Sequence, residues 1–203
     1  MNITIIGGSK GTGAHLVTVA TDADHDVTVV SRSGTAPAGA RIVTGDAADP
    51  EVLREALTGA DAVVVTVGGA KGVDNQRAKV TRAVISAMEE AGVRRLVVQS
   101  SLGAGDSASQ LPAPLRVLMK AVLAKPLADH DEQEAAVFAS DLDWTVVRPT
   151  GLKDKPATGT WRALEVSDEG TLSGQIPRAD LAACILGVLG DDATIGKALG
   201  VSS

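Results

Sequence analysis

One stretch near the start constrains the fold more than any other: Ile3-Thr4-Ile5-Ile6-Gly7-Gly8-Ser9-Lys10-Gly11-Thr12-Gly13. A short run rich in β-branched residues, Ile3 to Ile6, has the character of a buried strand. Glycines and small hydroxyl residues follow, and then a helical pattern opens. Each glycine has a distinct physical task in such a strand–turn–helix. Gly7 turns the chain off the strand. Gly11 lets backbone N–H groups approach a ligand without a side chain between them. Gly13 lets the helix pack closely on the sheet. The free N–H groups and partial positive charge of the helix N-terminus then suit a pyrophosphate, so the loop from Gly7 through Gly8, Ser9, Lys10, Gly11 and Thr12 to Gly13 is expected to hold a dinucleotide.

The remaining composition narrows the function classes. A chain of 203 residues supports one domain with a full core. Its net charge of -6 gives no electrostatic support for nucleic-acid binding. No apolar run approaches the ~18 residues of a membrane span, and no leader is apparent before the first strand, so a cytoplasmic protein with no membrane partner is expected. Metal-ligand clusters are absent, since His15, His25 and His130 are the only histidines. The single cysteine, Cys184, reads as a small buried hydrophobe.

Beyond the loop, strand and helix alternate. Thr12 to Thr21 reads as a helix, and Val27 to Val30 as the second strand, ending in Ser31-Arg32. In a doubly wound sheet this strand end faces the adenosine ribose. An acid there would favour a free 2′-hydroxyl. This chain instead offers Ser31 and the planar fork of Arg32, with Lys10 close by in the loop, a set that favours NADP(H) over NAD(H). The alternative is that both cations are ordinary surface charges. Arg41 to Thr44 reads as the third strand. Asp46 and Ala47 follow it, placed either for the adenine edge or as a turn before the helix that Asp49-Pro50 opens at Glu51. The fourth strand, Asp61 to Val67, ends in Gly68, so Thr66, Val67 and Gly68 are expected against the cofactor. Lys71 to Asp74 reads as a flexible turn, Asn75 to Ala91 as a long amphipathic helix and Arg95 to Gln99 as the fifth strand.

Ser100 and Ser101 stand at the carboxyl end of that fifth strand, where ligands of open parallel sheets sit. They serve either the nicotinamide and a reacting carbonyl or simply the end of the strand. Gly103 to Ser109 reads as a mobile loop, Leu111 to Lys125 and Asp129 to Ala139 as helices, and Asp143 to Val147 as the sixth strand. Arg148, Pro149 and Thr150 end that strand on the cofactor side. Trp161 to Val166 reads as a further strand, Arg178 to Leu189 as the last large helix and Lys197 to Ser202 as an edge strand. The order of elements predicts one α/β domain over residues 1–203. Its architecture is a Rossmann-type doubly wound parallel sheet with helices on both faces, flavodoxin-like in its first strands, with small substrate-side elements at about 151–175.

The glycine spacing resembles the cofactor loop of the short-chain dehydrogenase/reductase superfamily. Asp143-Trp144-Thr145-Val146-Val147-Arg148-Pro149-Thr150-Gly151-Leu152, with Pro156-Ala157-Thr158-Gly159 and Ile176-Pro177-Arg178-Ala179-Asp180-Leu181-Ala182, resembles its atypical branch with an NAD(P)-binding, NmrA-like domain. Within that branch the chain is similar to the biliverdin-IXβ reductase/flavin reductase type. Two departures stand out. Lys10 occupies a position where the group has glycine, and the chain contains no tyrosine, so the Tyr-x-x-x-Lys proton donor of the classical branch is impossible here. The resemblance implies a site serine at Ser101. It also sets His130 where relatives carry Asp-Lys, either as a proton donor at neutral pH or as a helix-surface histidine. The expected activity is hydride transfer from NADPH to a small conjugated acceptor, such as a flavin or quinone. The alternatives are a non-catalytic NADP(H) sensor of NmrA-like type and a sugar-nucleotide epimerase. The oligomeric state is open.

Overall fold

A computed structural model describes residues 1–69 and 75–203, with all side chains among them except those at 115 and 118–121. The expected turn at Lys71–Asp74 lies outside the described residues. The chain forms β1 (Asn2–Ile6), α1 (Gly11–Asp22), β2 (Asp26–Ser31), β3 (Arg41–Thr44), α2 (Pro50–Ala56), β4 (Ala62–Val65), α3 (Gln76–Ala91) and β5 (Arg95–Gln99). Its second half adds α4 (Ala113–Val122), α5 (Ala124–Phe138), β6 (Asp143–Pro149), β7 (Gly151–Lys153), β8 (Arg162–Leu164), β9 (Gln175–Pro177), α6 (Arg178–Leu189) and β10 (Lys197–Ser202).

Eight strands form one sheet in the order β3-β2-β1-β4-β5-β6-β10-β8. All neighbours are parallel except β8, which runs antiparallel on β10 at the edge. This is the Rossmann order, with its switch point between β1 and β4. The first strands are therefore not flavodoxin-like: β3 lies outside β2, and β4 rather than β3 pairs with β1. Nor is β10 an edge strand. It is paired on both sides, to β6 and β8, because the three-residue β8 covers its outer side.

Strand alternation divides the core. Ile3 and Ile5 of β1 face α1 and α6, where they pack with Leu16, Val17, Leu181 and Ile185. Ile6 faces the opposite side, with Leu53 of α2 and Val80 and Val84 of α3. Thr4 shares that face and stays satisfied by donating its hydroxyl to Ala56 O, 2.8 Å away. The start of α3 is capped across the layer. Asp129 of α5 accepts from the backbone N–H groups of Arg77 and Ala78 at 3.2 and 3.0 Å.

The second half departs from the expected helices. The Leu111–Lys125 pattern breaks into α4 and the start of α5, with Leu123 between them at φ -111°, ψ 21°. Pro126 sits in the first turn of α5; it has no N–H to continue the α4 ladder, but its place costs α5 nothing. The Gly103–Ser109 segment is folded onto itself: buried Ser107 accepts from Gly103 N at 2.9 Å and donates to Ala104 O at 2.6 Å. A parallel pair, β7 and β9, was not apparent in the sequence.

Candidate active site

At the carboxyl ends of β1, β2 and β4 lies a cleft of about 460 Å³. The glycine loop builds its floor. Gly7 takes φ +93°, and a Cβ there would stand 3.0 Å from the backbone of Thr66. Gly13 packs so tightly that a Cβ would press on Gly7 O and reach 2.6 Å from Thr66 Oγ1. These contacts bring the N-terminus of α1 onto the sheet end, as the sequence predicts. Ser9, Lys10, Gly11 and Thr12 line the cleft, while Gly8 and Gly13 do not. Gly8 instead rests on Val29, where a Cβ would lie 2.9 Å from the valine methyl.

The far end of the cleft gathers Ser31, Arg32, Asp46 and Ala47. Ser31 Oγ accepts from Thr35 N at 3.2 Å, and Asp46 Oδ1 from Ala48 N at 3.0 Å, which fixes both turns. Arg32 and Lys10 are exposed and border the same cleft from separate elements. Thr66, Val67 and Gly68 line its inner wall.

A second cavity of about 360 Å³ opens at the ends of β5 and β6. It shares Val67, Gly68, Gln99, Leu152 and Arg178 with the first, so the two spaces are adjoining. Ser100, Ser101, His130, Pro149 and Thr150 all line it. The structure therefore brings these residues together, but Ser100, Pro149 and Thr150 border the second cavity and not the glycine-loop cleft. Ser101 Oγ donates to Leu102 O at 3.3 Å, a long bond that leaves the hydroxyl easily redirected. Thr150 Oγ1 is buried and has no partner among the described residues.

His130 requires a correction. It is buried on α5, not a surface histidine, and its pKa is lowered to about 4, by burial first and then by the cation of Arg77. At neutral pH the ring is uncharged, so the expected protonated donor is not present there. The neighbours also select its tautomer. Gln133 Nε2 donates to Thr81 Oγ1 at 3.0 Å, which leaves Gln133 Oε1 to accept from His130 Nδ1 at 3.2 Å. Nε2 is then the acceptor nitrogen. Ser100 Oγ lies 3.4 Å from the same Nδ1.

Arg148 requires a second correction. It borders neither the cleft nor the adjoining cavity. Its side chain is 1% exposed and forms a two-pronged pair with Glu134 at 2.9 and 2.8 Å, plus a bond to Asp106 at 2.7 Å. Burial alone would lower its pKa, but the two carboxylates outweigh burial and hold it above the usual guanidinium range. Its role is to tie β6 to α5 and to the turn before residue 107.

Three residues at the junction were not identified as site residues, Gln99, Leu152 and Arg178, nor was Arg77, which borders the second cavity alone. Gln99 was detectable, because it directly precedes Ser100 on β5. Its Oε1 is buried and unpartnered among the described residues. Arg178 opens α6, far from the loop in sequence, and no local pattern places it there.

The cleft fits a dinucleotide on its own features. It combines the open N-terminus of α1, the cations Lys10, Arg32 and Arg178 in its lining, and buried Thr12 Oγ1, which has no partner among the described residues. Comparison with known proteins agrees. A family model described as NAD(P)H-binding matches residues 7–192. The Bacillus subtilis protein called uncharacterized sugar epimerase YhfK is 29% identical over 98% of this chain and 92% of its own. ChuY, an anaerobillin reductase from Escherichia coli O157:H7, is 29% identical and superposes with a TM-score of 0.84 over 99% of this chain and 96% of its own. A short-chain dehydrogenase/reductase from Veillonella parvula in complex with NADP shares the fold, with a TM-score of 0.84 at 20% identity over 100% of this chain and 94% of that one.

Proposed function

The chain belongs to the NAD(P)H-binding family, and from that premise we propose that it is an NADPH-dependent reductase of a small conjugated acceptor. The observation that carries this reading is the adjoining pair of spaces. One has the features of a dinucleotide cleft, and the other is a mixed polar and apolar cavity joined to it across Val67, Gly68 and Gln99. When bound, the reduced dinucleotide supplies a hydride. The protein's part is to hold the acceptor beside the junction. Leu102, Leu111 and Leu152 provide apolar walls suited to a flat ring system. Ser101 and Thr150 offer hydroxyl donors for an acceptor oxygen, and His130 Nε2 offers a neutral acceptor for an N–H or O–H group.

No side chain here acts as a phenolic proton donor, since tyrosine is absent. A conjugated acceptor tolerates that lack, because its reduced form draws a proton from water. The description of ChuY as an anaerobillin reductase supports reductase chemistry. The epimerase name of YhfK points to another chemistry, which the missing tyrosine disfavours. Arg32 and Lys10 in the lining of the cleft support NADP(H) over NAD(H).

The test is NADPH oxidation by the purified protein with FMN, riboflavin, a simple quinone and a linear tetrapyrrole, beside binding titrations of NADPH and NADH. Steady turnover of at least one acceptor, with tighter NADPH binding, is expected. Tight binding without turnover of any acceptor would replace the reductase reading with that of a cofactor sensor.

A further inference from the structure

Arg178, the first residue of α6, reaches the glycine loop. A Cβ built on Gly11 would lie 3.5 Å from Arg178 Nε, so the guanidinium stem stands directly over the loop. The residue borders both the cleft and the adjoining cavity. Its only side-chain hydrogen bond among the described residues runs from Nη1 to Asp154 Oδ1, at 2.8 Å. The two partners are unequal: the Arg178 side chain is 25% exposed and that of Asp154 is 81% exposed. A buried-side cation thus holds a solvent-facing carboxylate that water can readily take over.

The segment carrying Asp154 has a second, firmer mooring. Asp180, one turn into α6, is 1% exposed and accepts from Thr158 N, Thr158 Oγ1 and Gly159 N, at 2.7 to 3.0 Å. Burial opposes its charge, but these bonds hold its carboxyl below the usual range. Loss of the Asp154 contact therefore leaves the segment attached at Thr158.

We propose that Arg178 is a binding residue for the pyrophosphate of the dinucleotide, and that Asp154 is its resting counter-ion, displaced when the phosphates arrive. The inference rests on the dinucleotide reading of the cleft. Two negative oxygens facing Nε and Nη from the loop side suit the planar fork of arginine better than one exposed carboxylate. Asp154 then acts as a competitor. It neutralises Arg178 in the empty protein and weakens affinity by the amount needed to release it.

Three variants and two probes test this by isothermal titration, with no turnover required. Arg178→Gln should weaken NADPH about ten- to a hundred-fold. Asp154→Asn should tighten NADPH up to about five-fold. The double variant should match Arg178→Gln, because Asp154 acts only through Arg178. ADP-ribose, which carries the pyrophosphate without the nicotinamide, should show the same pattern. Unchanged NADPH and ADP-ribose binding in Arg178→Gln would overturn the proposal. So would weakened NADPH with unchanged ADP-ribose, which would move the contact to the nicotinamide side. Failure of the wild-type protein to bind NADPH at all would instead sink the dinucleotide reading.

Discussion

His130 Nδ1 lies 3.2 Å from Gln133 Oε1, and both side chains are buried. Burial and Arg77 lower its pKa from 6.5 to about 4, so the ring is neutral in the folded protein at pH values where the unfolded chain has begun to protonate. The unfolded state binds more protons over this interval, so stability rises with pH through it. The contribution is complete above about pH 6.5 and is lost as pH falls toward 4. The full shift corresponds to on the order of 3 kcal/mol. Urea denaturation at closely spaced pH values should show this rise, and His130→Gln should flatten it. A slope unchanged in the variant would show that other groups produce it.

Ser101 is the hydroxyl best placed to meet an acceptor, because it lines the second cavity and holds only a 3.3 Å bond to Leu102 O. Ser101→Ala should lower kcat/KM for the acceptor about ten-fold, the value of one hydrogen bond. NADPH affinity should stay within about two-fold, since Ser101 does not border the glycine-loop cleft. Steady-state kinetics and titration on the same preparation separate the two effects. Equal loss in both would mean that the serine supports the fold of the strand end and not the acceptor.

The glycine loop, the first five strands and the grouping of Ser100, Ser101 and His130 were all legible in the sequence. Local signals carry them: β-branched runs, glycine spacing and the rule that ligands sit at strand carboxyl ends. What escaped depends on partners distant in sequence. Arg148 follows Val147, which packs against the α1 and α6 face. Alternation therefore sends Arg148 the other way, with Val146, toward α5, where Glu134 waits. The Arg-Pro motif alone suggested the cofactor. His130 looked solvated because acids flank it, yet Asp129 is turned inward to cap α3. Lys197–Ser202 looked like an edge because β8, which covers it, is three residues long and its Arg162 and Ala163 are exposed.

Arg32 should set cofactor preference. It borders the cleft beside Ser31 and Asp46, with Lys10 on the glycine loop, and neither side chain has an ion-pair partner among the described residues. Arg32→Ala should cost NADPH binding roughly 1.5–3 kcal/mol and leave NADH within about two-fold. Lys10→Ala should act in the same direction with smaller effect, since an ammonium lacks the two-pronged geometry. Parallel titrations of both cofactors measure the ratio. Equal weakening of NADPH and NADH would place Arg32 elsewhere than at a 2′-phosphate.

The Arg148–Glu134 pair should govern stability and leave the site alone. Both side chains are nearly inaccessible, at 1% and 2%, while the third partner, Asp106, is 69% exposed. Removing Glu134 strands a buried guanidinium with one solvent-facing carboxylate, and breaking such a pair costs about 3–5 kcal/mol. Glu134→Ala should therefore lower Tm by many degrees, and Asp106→Ala by far less, because water can replace an exposed partner. In whatever fraction of Glu134→Ala remains folded, NADPH affinity should match the wild type, since neither Arg148 nor Glu134 borders the cleft. Thermal unfolding and titration below the transition check both halves. A folded Glu134→Ala protein with weakened NADPH binding would return Arg148 to the cofactor role that its sequence motif first suggested.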